Sequence, residues 1–256
     1  MATPAYHPEP SHVAEGDLPT ALPPICILAG GKGTRLGEVA GGVPKPLAEV
    51  AGEPFLVHQF RLLAACGANH VVLCVGHRGE MIEKTIGHER FGITVEYSYD
   101  SPGLDGTLGA VRRALALLGE RFLVLYGDTY LPMDYQAADA AWRASSKPAL
   151  MTVFRNEGRW DESNVVFCDG VVVKYDKSHR TADMAWIDYG FGGFTASTLD
   201  LVDAAETDLA GLQTLLADRG LLCGFEAAER FHEIGTPEAL RETDEFLRQL
   251  RESKLG

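Results

Sequence analysis

The sequence predicts an α/β fold, in which strands and helices alternate along the chain, and three observations lead to it. Two uninterrupted apolar runs, His70–Val75 and Phe122–Tyr126, have the length and composition of strands that are covered on both faces of a sheet. Two amphipathic stretches, Pro54–Cys66 and Thr107–Leu118, precede them, and each is followed by a glycine that ends a helix. A glycine-rich turn follows the first apolar run, Ile25–Leu28, at the position where a doubly wound sheet binds its ligand.

Two further patterns in the first half of the chain predict which residues face the core. The helix Pro54–Cys66 has four apolar positions that are expected to point inward: Phe55, Val57, Phe60 and Leu63. A half-buried strand is predicted where apolar and aromatic residues alternate with polar ones: Ile93, Val95, Tyr97 and Tyr99.

The second half of the chain begins with a hairpin signal. The dipeptide Asp169-Gly170 separates two β-rich runs, Asn164–Cys168 and Val171–Tyr175, and such a dipeptide is typical of a two-residue hairpin turn. The glycine-containing run Trp186–Thr195 predicts a strand along the wall of a ligand site. The remaining predicted elements are a helix at Leu212–Asp218, a strand at Leu221–Ala227 and a final helix that Pro237 opens, with Leu240, Phe246, Leu247 and Leu250 facing inward.

The size and charge of the chain limit its organisation and its partners. At 256 residues it can form one large domain with a sizeable core. Residues 1–24 hold six prolines and are expected to form a disordered tail, so the predicted single domain spans residues 25–256. A net charge of −13 argues against binding to nucleic acid or to an anionic membrane. It does not argue against a triphosphate, because charges are screened over about 8 Å at physiological salt.

The number and spacing of the cysteines and the lengths of the apolar runs indicate a cytoplasmic location. Five cysteines, an odd number without a C-x-x-C pair, are expected to be reduced thiols. Eight scattered histidines show no zinc-ligand spacing. No apolar run approaches the roughly 18 residues of a membrane span, and the first residues lack the basic and apolar regions of a secretory signal.

The most informative segment is Leu-Ala-Gly-Gly-Lys-Gly-Thr-Arg-Leu at residues 28–36, which is followed by Lys45 between two prolines. Glycine lets backbone N–H groups approach a ligand closely, and a row of such groups binds anions. Lys32, Arg35 and Lys45 add cations that can neutralise phosphate oxygens. The predicted ligand is therefore a nucleoside triphosphate.

Two common phosphate-binding motifs do not fit this segment. A P-loop requires serine or threonine after its glycine-lysine pair, but Gly33 follows Gly31-Lys32. A dinucleotide fingerprint that starts at Gly31 would place its last glycine at Leu36.

The string G-G-x-G-T-R-L with a downstream P-K-P resembles the sugar-1-phosphate nucleotidyltransferases, or nucleotide-sugar pyrophosphorylases, and the resemblance covers about residues 25–250. Within that family, three motifs are most similar to the D-glycero-α-D-manno-heptose-1-phosphate guanylyltransferases: Tyr126-Gly127-Asp128, Ile187-Asp188-Tyr189-Gly190 and Glu233-Ile234-Gly235-Thr236-Pro237. The resemblance implies a Rossmann-like three-layer α/β/α fold with a mixed, mainly parallel sheet. Residues 25–135 would form a nucleotide-binding half, and residues 136–256 a sugar-binding half with the C-terminal helix.

The resemblance also implies a reaction in which a sugar 1-phosphate oxygen attacks the α-phosphorus of a nucleoside triphosphate and expels pyrophosphate. Because both reactants are anions and the nucleophile is already ionised, catalysis is expected to rest on positioning and charge neutralisation. The fork of Arg35 suits the departing pyrophosphate, and Lys45 is predicted to bridge the α-phosphate and the sugar phosphate. Asp128 is predicted to hold Mg²⁺, together with Glu233, which stands where relatives usually carry aspartate.

Ten residues are predicted to bind the nucleotide: Leu28, Ala29, Gly30, Gly31, Gly33, Thr34, Arg35, Asp100, Gly106 and Thr107. Gly106-Thr107 resembles the family loop near the base and ribose, from which the neighbouring Asp105 departs. Asp100 stands at the position where relatives carry a polar residue that contacts the edge of the base. A carboxylate accepts hydrogen bonds, and guanine offers two adjacent donors where uracil and thymine offer one, so GTP is favoured. The alternative for Asp100, a solvated loop residue before Ser101-Pro102, is equally open.

Six residues are predicted to bind the sugar phosphate: Lys45, Asn164, Lys177, Asp188, Tyr189 and Gly190. Lys177 resembles the family lysine that meets the sugar phosphate, and the polar groups after it suit sugar hydroxyls. His232, beside Glu233, is expected to be structural.

Other interpretations of the same motifs are uridylyl, thymidylyl or cytidylyl transfer to a hexose 1-phosphate, and a non-catalytic nucleotide-binding regulator. A molybdopterin guanylyltransferase is disfavoured, because P-K-P stands where that class would carry a D-K lysine. A homo-oligomer is compatible with the sequence.

Overall fold

The structure is a computed structural model that describes residues 21–31, 42–100, 106–160 and 162–253. Within these ranges its strands are β1 (Ile25–Leu28), β2 (Glu49–Val50), β3 (Glu53–Pro54), β4 (His70–Val75), β5 (Glu89–Arg90), β6 (Ile93–Tyr99), β7 (Arg121–Tyr126), β8 (Thr129–Tyr130), β9 (Ala149–Arg155), β10 (Val165–Cys168), β11 (Val171–Tyr175), β12 (Trp186–Thr195), β13 (Leu222–Ala227) and β14 (His232–Glu233). The α-helices are α1 (Phe55–Ala65), α2 (Gly79–Ile86), α3 (Gly106–Leu118), α4 (Tyr135–Ser145), α5 (Leu209–Asp218) and α6 (Pro237–Ser253), and 3₁₀ turns occupy Lys45–Leu47 and Ala196–Leu201.

One ten-stranded sheet runs through both halves of the chain, in the order β10-β11-β13-β9-β12-β7-β1-β4-β6-β5. The four central strands β7, β1, β4 and β6 are parallel to one another, and β13 is parallel to β9. The other five neighbouring pairs are antiparallel. The prediction of a mixed sheet is confirmed. Most strands point the same way as β1, but parallel pairs do not outnumber antiparallel ones, because β11 and β12 inside the sheet and β5 at its edge run in the opposite direction.

Helices cover both faces of this sheet, which confirms the three-layer prediction. Successive residues of β4 belong to two different cores, because side chains alternate across a strand. Val71 and Leu73 join the core on the side of α1, α2 and α4. Val72 and Cys74 join the core on the side of α3 and α5. The four predicted inward residues of α1 are all buried: Phe55, Val57, Phe60 and Leu63.

The predicted alternation along β6 holds only for its first part. Ile93 and Val95 are buried, but Tyr99 is 43% exposed and Ser98 is buried instead. The edge strand β5 covers only the start of β6, so the far end of the strand has no neighbour on that side. The hydroxyl of Tyr99 instead donates a hydrogen bond to Glu83 of α2. The inward position expected for Tyr99 is therefore wrong.

The predicted hairpin is confirmed, since β10 and β11 pair around Asp169 (φ 49°) and Gly170 (φ 75°). The predicted tail lies mostly outside the described residues. Its last four residues belong to the folded domain: Leu22 is buried, and the carbonyl of Pro24 accepts a hydrogen bond from the N–H of Leu123. No helix in the described ranges is both long enough and apolar enough to cross a membrane.

Candidate active site

Two adjoining cavities open at the carboxyl ends of the central strands, and they divide the predicted site residues between them. The first has a volume of about 500 Å³, and its lining includes Leu28, Ala29, Gly30, Gly31, Lys45, Asp100, Gly106, Thr107, Asp128 and Glu233. The second has a volume of about 190 Å³, and its lining includes Asn164, Lys177, Asp188, Tyr189, Gly190 and Glu233. Tyr126 and Glu233 line both cavities. The described members of the predicted nucleotide set therefore line the first cavity, and the predicted sugar set apart from Lys45 lines the second.

Part of the glycine loop lies outside the described residues. This part comprises Lys32, Gly33, Thr34 and Arg35, so the contacts predicted for them stay predictions. Asp105, the departure from the family loop, is also outside the described ranges.

Lys45 lies directly against Asp128. Its ammonium Nζ is 2.6 Å from Asp128 Oδ2, and Thr129 Oγ1 donates to the other carboxylate oxygen at 3.2 Å. Lys45 opens a 3₁₀ turn whose next two residues, Pro46 and Leu47, are buried, so the backbone that carries the lysine is fixed. The side chains of Lys45 and Asp128 are 18% and 33% exposed, which leaves both groups accessible from the first cavity.

Asp128 and Glu233 come together through a short antiparallel ladder. Strand β14 pairs with β8 so that Glu233 lies opposite Thr129, and the N–H of Ile234 donates to the carbonyl of Asp128 at 3.0 Å. Two carboxylates that line one cavity suit Mg²⁺, which usually takes one or two carboxylates and completes its shell with phosphate oxygens and water. Among the described residues, no group of three or more His, Cys, Asp or Glu side chains could enclose an ion. The donor set thus fits a metal shared with a ligand.

The C-terminal helix α6 is hydrogen-bonded to the turn between β2 and β3, which follows the segment of Lys45, and to the strand β14, which carries Glu233. Asp244 Oδ1 accepts a hydrogen bond from the N–H of Ala51 at 2.6 Å, and Arg251 Nη1 donates to the carbonyl of Ala51 at 2.7 Å. These bonds hold Ala51 at φ 48°, an unfavourable conformation for a residue with a side chain. Thr243 Oγ1 donates to the carbonyl of Glu233 at 2.6 Å. The sequence did not predict these hydrogen bonds, which we call the α6 brace, because no local motif marks them.

Asp100 lies at the end of β6, in the wall of the first cavity. A methyl group added to Gly30 or to Gly76 would lie 2.5 Å from Asp100 Oδ2, so the carboxylate packs directly on two glycine backbones. Arg113 of α3 has Nη1 3.4 Å from Asp100 Oδ1. Burial raises the pKa of Asp100, and the charge of Arg113 opposes this rise. The side chain is half-buried and ion-paired, which disfavours the alternative of a solvated loop residue, while its base contact stays a prediction.

Gly106 and Thr107 join the starts of two helices beside the first cavity. Gly106 has φ +63°, and a methyl group there would lie 2.3 Å from the carbonyl oxygen of Thr207. The hydroxyl of Thr107 donates to Asp208 Oδ1 at 3.1 Å and accepts from the N–H of Leu209 at 2.8 Å. This hydroxyl therefore ties α3 to the N-terminus of α5, in addition to lining the cavity.

The second cavity contains a carboxylate that is held in place on both oxygens. Asp188 Oδ1 accepts from the N–H of Gly190 at 3.0 Å, and Oδ2 accepts from the hydroxyl of Tyr175 at 3.2 Å. The N–H of Asp188 donates to Asn164 Oδ1 at 3.0 Å. Burial raises the pKa of Asp188, and the charge of Lys177 is the strongest opposing cause. Lys177 lies nearby, with Nζ 5.9 Å from the centre of the Tyr175 ring.

Tyr189 lines the same cavity, and its hydroxyl is buried and unpaired among the described residues. Its side chain is buried between the rings of Phe154 and Phe231, both centred 6.1 Å away. Its hydroxyl has no hydrogen-bond partner among the described residues. A buried hydroxyl without a partner is costly, and the sugar contact expected for Tyr189 stays a prediction.

His232 is placed for packing and not for proton transfer. Its ring stacks on Phe246, with ring centres 3.6 Å apart and planes 14° apart. Burial, and after it the charge of Arg230, lower the pKa of His232 to about 4. The imidazole is neutral near pH 7, in agreement with the structural role expected for it.

The sequence profile of the MobA-like NTP transferase domain matches residues 25–239. The chain belongs to this family. The resemblance to sugar-1-phosphate nucleotidyltransferases is also confirmed by curated relatives. Mannose-1-phosphate guanyltransferase of Gibberella zeae is 40% identical over 135 residues, which cover 51% of this chain and 37% of that protein. D-glycero-alpha-D-manno-heptose 1-phosphate guanylyltransferase of Campylobacter jejuni is 37% identical over 108 residues, which cover 42% of this chain and 48% of that protein.

The MobA-like chain thus spans less than half the length of these two relatives. Its fold is shared with HddC from Yersinia pseudotuberculosis, with a TM-score of 0.73 at 23% identity over 88% of this chain and 100% of that one. A crystal structure of HddC in complex with GMP-PN has a TM-score of 0.72. These matches confirm the predicted nucleotidyltransferase fold.

Proposed function

We propose that the protein transfers a guanylyl group from GTP to D-glycero-α-D-manno-heptose 1-phosphate, giving a GDP-sugar and pyrophosphate. The observation that carries the proposal is the pair of adjoining cavities, which separates the described residues predicted to bind nucleotide from most of those predicted to bind sugar phosphate. Mannose 1-phosphate is the second candidate acceptor, because a relative named for it is 40% identical over 135 residues. The names of both relatives favour a phosphorylated sugar over molybdopterin.

The reaction needs no general base. An oxygen of the sugar phosphate, already ionised, forms a bond to the α-phosphorus, and the bond to the bridging oxygen breaks so that pyrophosphate leaves with the electron pair. The obstacle is repulsion between the two anions, which cations at fixed positions reduce. Lys45 lines the first cavity, where it is held by Asp128, and it can exchange this carboxylate for phosphate oxygens. We assign Arg35 to the departing pyrophosphate.

Asp128 and Glu233 would hold Mg²⁺, which when bound neutralises phosphate charge. Asp128 directly precedes β8, and Glu233 lies on its partner strand β14, which supports this assignment.

On the acceptor side, Lys177 would bind the sugar phosphate, while Asn164 and Tyr189 would bind hydroxyls of the sugar. Asp188 already accepts two internal hydrogen bonds, but an ionised carboxylate has about four acceptor sites, so it can also receive a sugar hydroxyl. Asp100 would accept hydrogen bonds from the guanine base.

We further propose that the protein acts in the cytosol. Its five cysteines are free thiols, including Cys26 and Cys74, whose sulfur atoms lie 3.4 Å apart in the core without a bond between them.

The test is a matrix of substrates. GTP, UTP, dTTP and CTP are each incubated with heptose 1-phosphate, mannose 1-phosphate and glucose 1-phosphate, with Mg²⁺ or with EDTA, and pyrophosphate release is measured. We expect release with GTP and heptose 1-phosphate in Mg²⁺ only. Preference for another triphosphate would refute the assignment of the base, and tight nucleotide binding without release from any pair would favour a non-catalytic regulator.

A further inference from the structure

The carboxylate of Asp100 is confined on three sides at the wall of the first cavity. Two of these sides are the backbones of Gly30 and Gly76, on which Oδ2 packs so closely that neither position has room for a methyl group. The third is the guanidinium of Arg113, with Nη1 3.4 Å from Oδ1. The main chain is fixed as well, since the N–H of Asp100 donates to the carbonyl of Val75 at 2.8 Å.

Arg113 reaches this position from α3, and its side chain is 25% exposed. The preceding residue shows that the arrangement is particular to Arg113. The guanidinium of Arg112 turns to the other side and donates to backbone carbonyls of the segment after β12, including those of Leu199 and Glu206. The two adjacent arginines of α3 therefore have different contacts. Arg112 is hydrogen-bonded to the segment after β12, and Arg113 is paired with Asp100 at the cavity wall.

We propose that Arg113 is the positioning residue for base selection: it keeps Asp100 ionised and in a single orientation, so that the pair selects guanine. The inference rests on the proposed function, because it takes Asp100 as the residue that reads the base. An ionised carboxylate accepts from both the N1–H and the 2-amino group of guanine, whereas a protonated one has a donor on one oxygen and a weaker acceptor on the other. Burial favours the protonated form, and the adjacent guanidinium opposes it.

Orientation matters as much as charge. A carboxylate that is free to rotate loses conformational entropy when it binds the base. A carboxylate that is already held in place before the ligand arrives avoids this loss. Removal of Arg113 is therefore expected to weaken the binding of GTP more than the binding of analogues that lack one of the two donors. Inosine triphosphate lacks only the 2-amino group, which makes it the sharpest comparison.

The experiment compares Arg113→Met, Arg113→Lys and the surface control Arg241→Met, whose side chain is 68% exposed. For each, kcat and KM are measured with GTP, ITP and UTP at a saturating concentration of the same sugar phosphate. We expect the wild type to prefer GTP over ITP by about ten- to a hundredfold, the scale of one hydrogen bond to a charged group. Arg113→Met should raise the KM for GTP about tenfold or more and leave kcat within about threefold. The ratio of kcat/KM for GTP to kcat/KM for ITP, called the GTP/ITP ratio, should then fall close to one. Arg113→Lys should restore part of the ratio, and Arg241→Met should change nothing.

A double-mutant cycle with Asp100→Asn separates positioning from general damage to the fold. If Arg113 acts through Asp100, Arg113→Met causes no further loss of the GTP/ITP ratio in the Asp100→Asn background. An unchanged ratio in Arg113→Met, or an equal fall of kcat with all triphosphates, would overturn the inference. Equilibrium binding of GTP and ITP without acceptor gives the same ratio independently of turnover. If the wild type binds GTP more tightly than ITP but transfers nothing, the proposed function fails while the role of Arg113 is still decided by the binding ratio.

Discussion

The ammonium of Lys45 lies 2.6 Å from the carboxylate of Asp128, although 83 residues separate them in the sequence. Each charge is therefore neutralised before a ligand arrives, which holds both side chains at the cavity wall. In the proposed reaction, an incoming phosphate would compete with Asp128 for the lysine, and a divalent cation would compete with the lysine for Asp128. The ion pair would then open to bind the phosphate and the cation.

Substitution of Lys45 by alanine should abolish most of the activity and leave the fold intact. Loss of one fixed donor to the transferring phosphate typically lowers kcat by about a hundredfold to a thousandfold. Partly exposed ion pairs contribute little to stability, so the melting temperature should stay within a few degrees. Pyrophosphate release and thermal unfolding measure the two effects, with Lys84→Ala on α2 as the control. Activity near the wild-type level would remove Lys45 from the mechanism.

Alanine at Gly106 should be far more damaging than alanine at Gly119. Both glycines have positive φ, at 63° and 74°, so backbone strain is similar. Only at Gly106 would the new methyl group clash, at 2.3 Å from the carbonyl oxygen of Thr207, whereas nothing lies within 4 Å at Gly119. The clash should displace the start of α3 and raise the KM for the nucleotide. Equal melting temperatures and equal KM values in the two variants would contradict this account.

Lys177→Ala should raise the KM for the sugar phosphate about tenfold or more and leave the KM for the nucleotide nearly unchanged. The reason is that Lys177 lines the second cavity and not the first. Lys174→Ala, on the strand β11 that precedes Lys177, is the matched control. Steady-state kinetics with each substrate varied in turn measure the two constants. A rise confined to the nucleotide KM would exchange the assignments of the two cavities.

Tyr189→Phe should separate ligand binding from stability. The hydroxyl is buried and has no partner among the described residues, so its removal should leave the free protein as stable or slightly more stable. With sugar phosphate bound, the hydroxyl is expected to be paired, and the variant should bind the acceptor several-fold more weakly. Thermal unfolding with and without acceptor tests both statements. Destabilisation of the free variant by several degrees would show that the hydroxyl already has a partner.

His232 should make stability depend on pH below neutrality. Its pKa is about 4 in the folded protein and about 6.5 when unfolded, so the unfolded chain binds more protons between these values. Stability is therefore full above about pH 6.5, falls as the pH drops towards 4, and is then constant. One pKa unit corresponds to about 1.4 kcal/mol, which limits the loss to roughly 3 kcal/mol.

Denaturant unfolding of wild type and His232→Phe between pH 7 and pH 4 measures this contribution as the difference in slope. His88→Asn is the control, because His88 is 75% exposed. Parallel pH profiles for the wild type and His232→Phe would show that the pKa of His232 is not shifted.

The elements that sequence patterns predicted are those whose signals are local. The strand β4 is an apolar run of six residues, and the hairpin turn needs only Asp169-Gly170. The strand β9 also carries such a run and could have been identified, although it was not. The helix α2 has a weaker local sequence signal. It has only eight residues and begins after Arg78, which has positive φ and makes no side-chain capping bond.

The sequence by itself determined the family, the α/β fold and the identity of most residues around the two cavities, because glycine turns, apolar periodicity and charged motifs are encoded over a few neighbouring positions. Only the tertiary structure decided which distant groups meet. The α6 brace from Asp244 and Arg251 to Ala51, and the pairing of Arg113 with Asp100, join segments whose contact depends on how helices dock on the sheet. Such contacts have no local signature, since the energy that selects them comes from packing the whole domain.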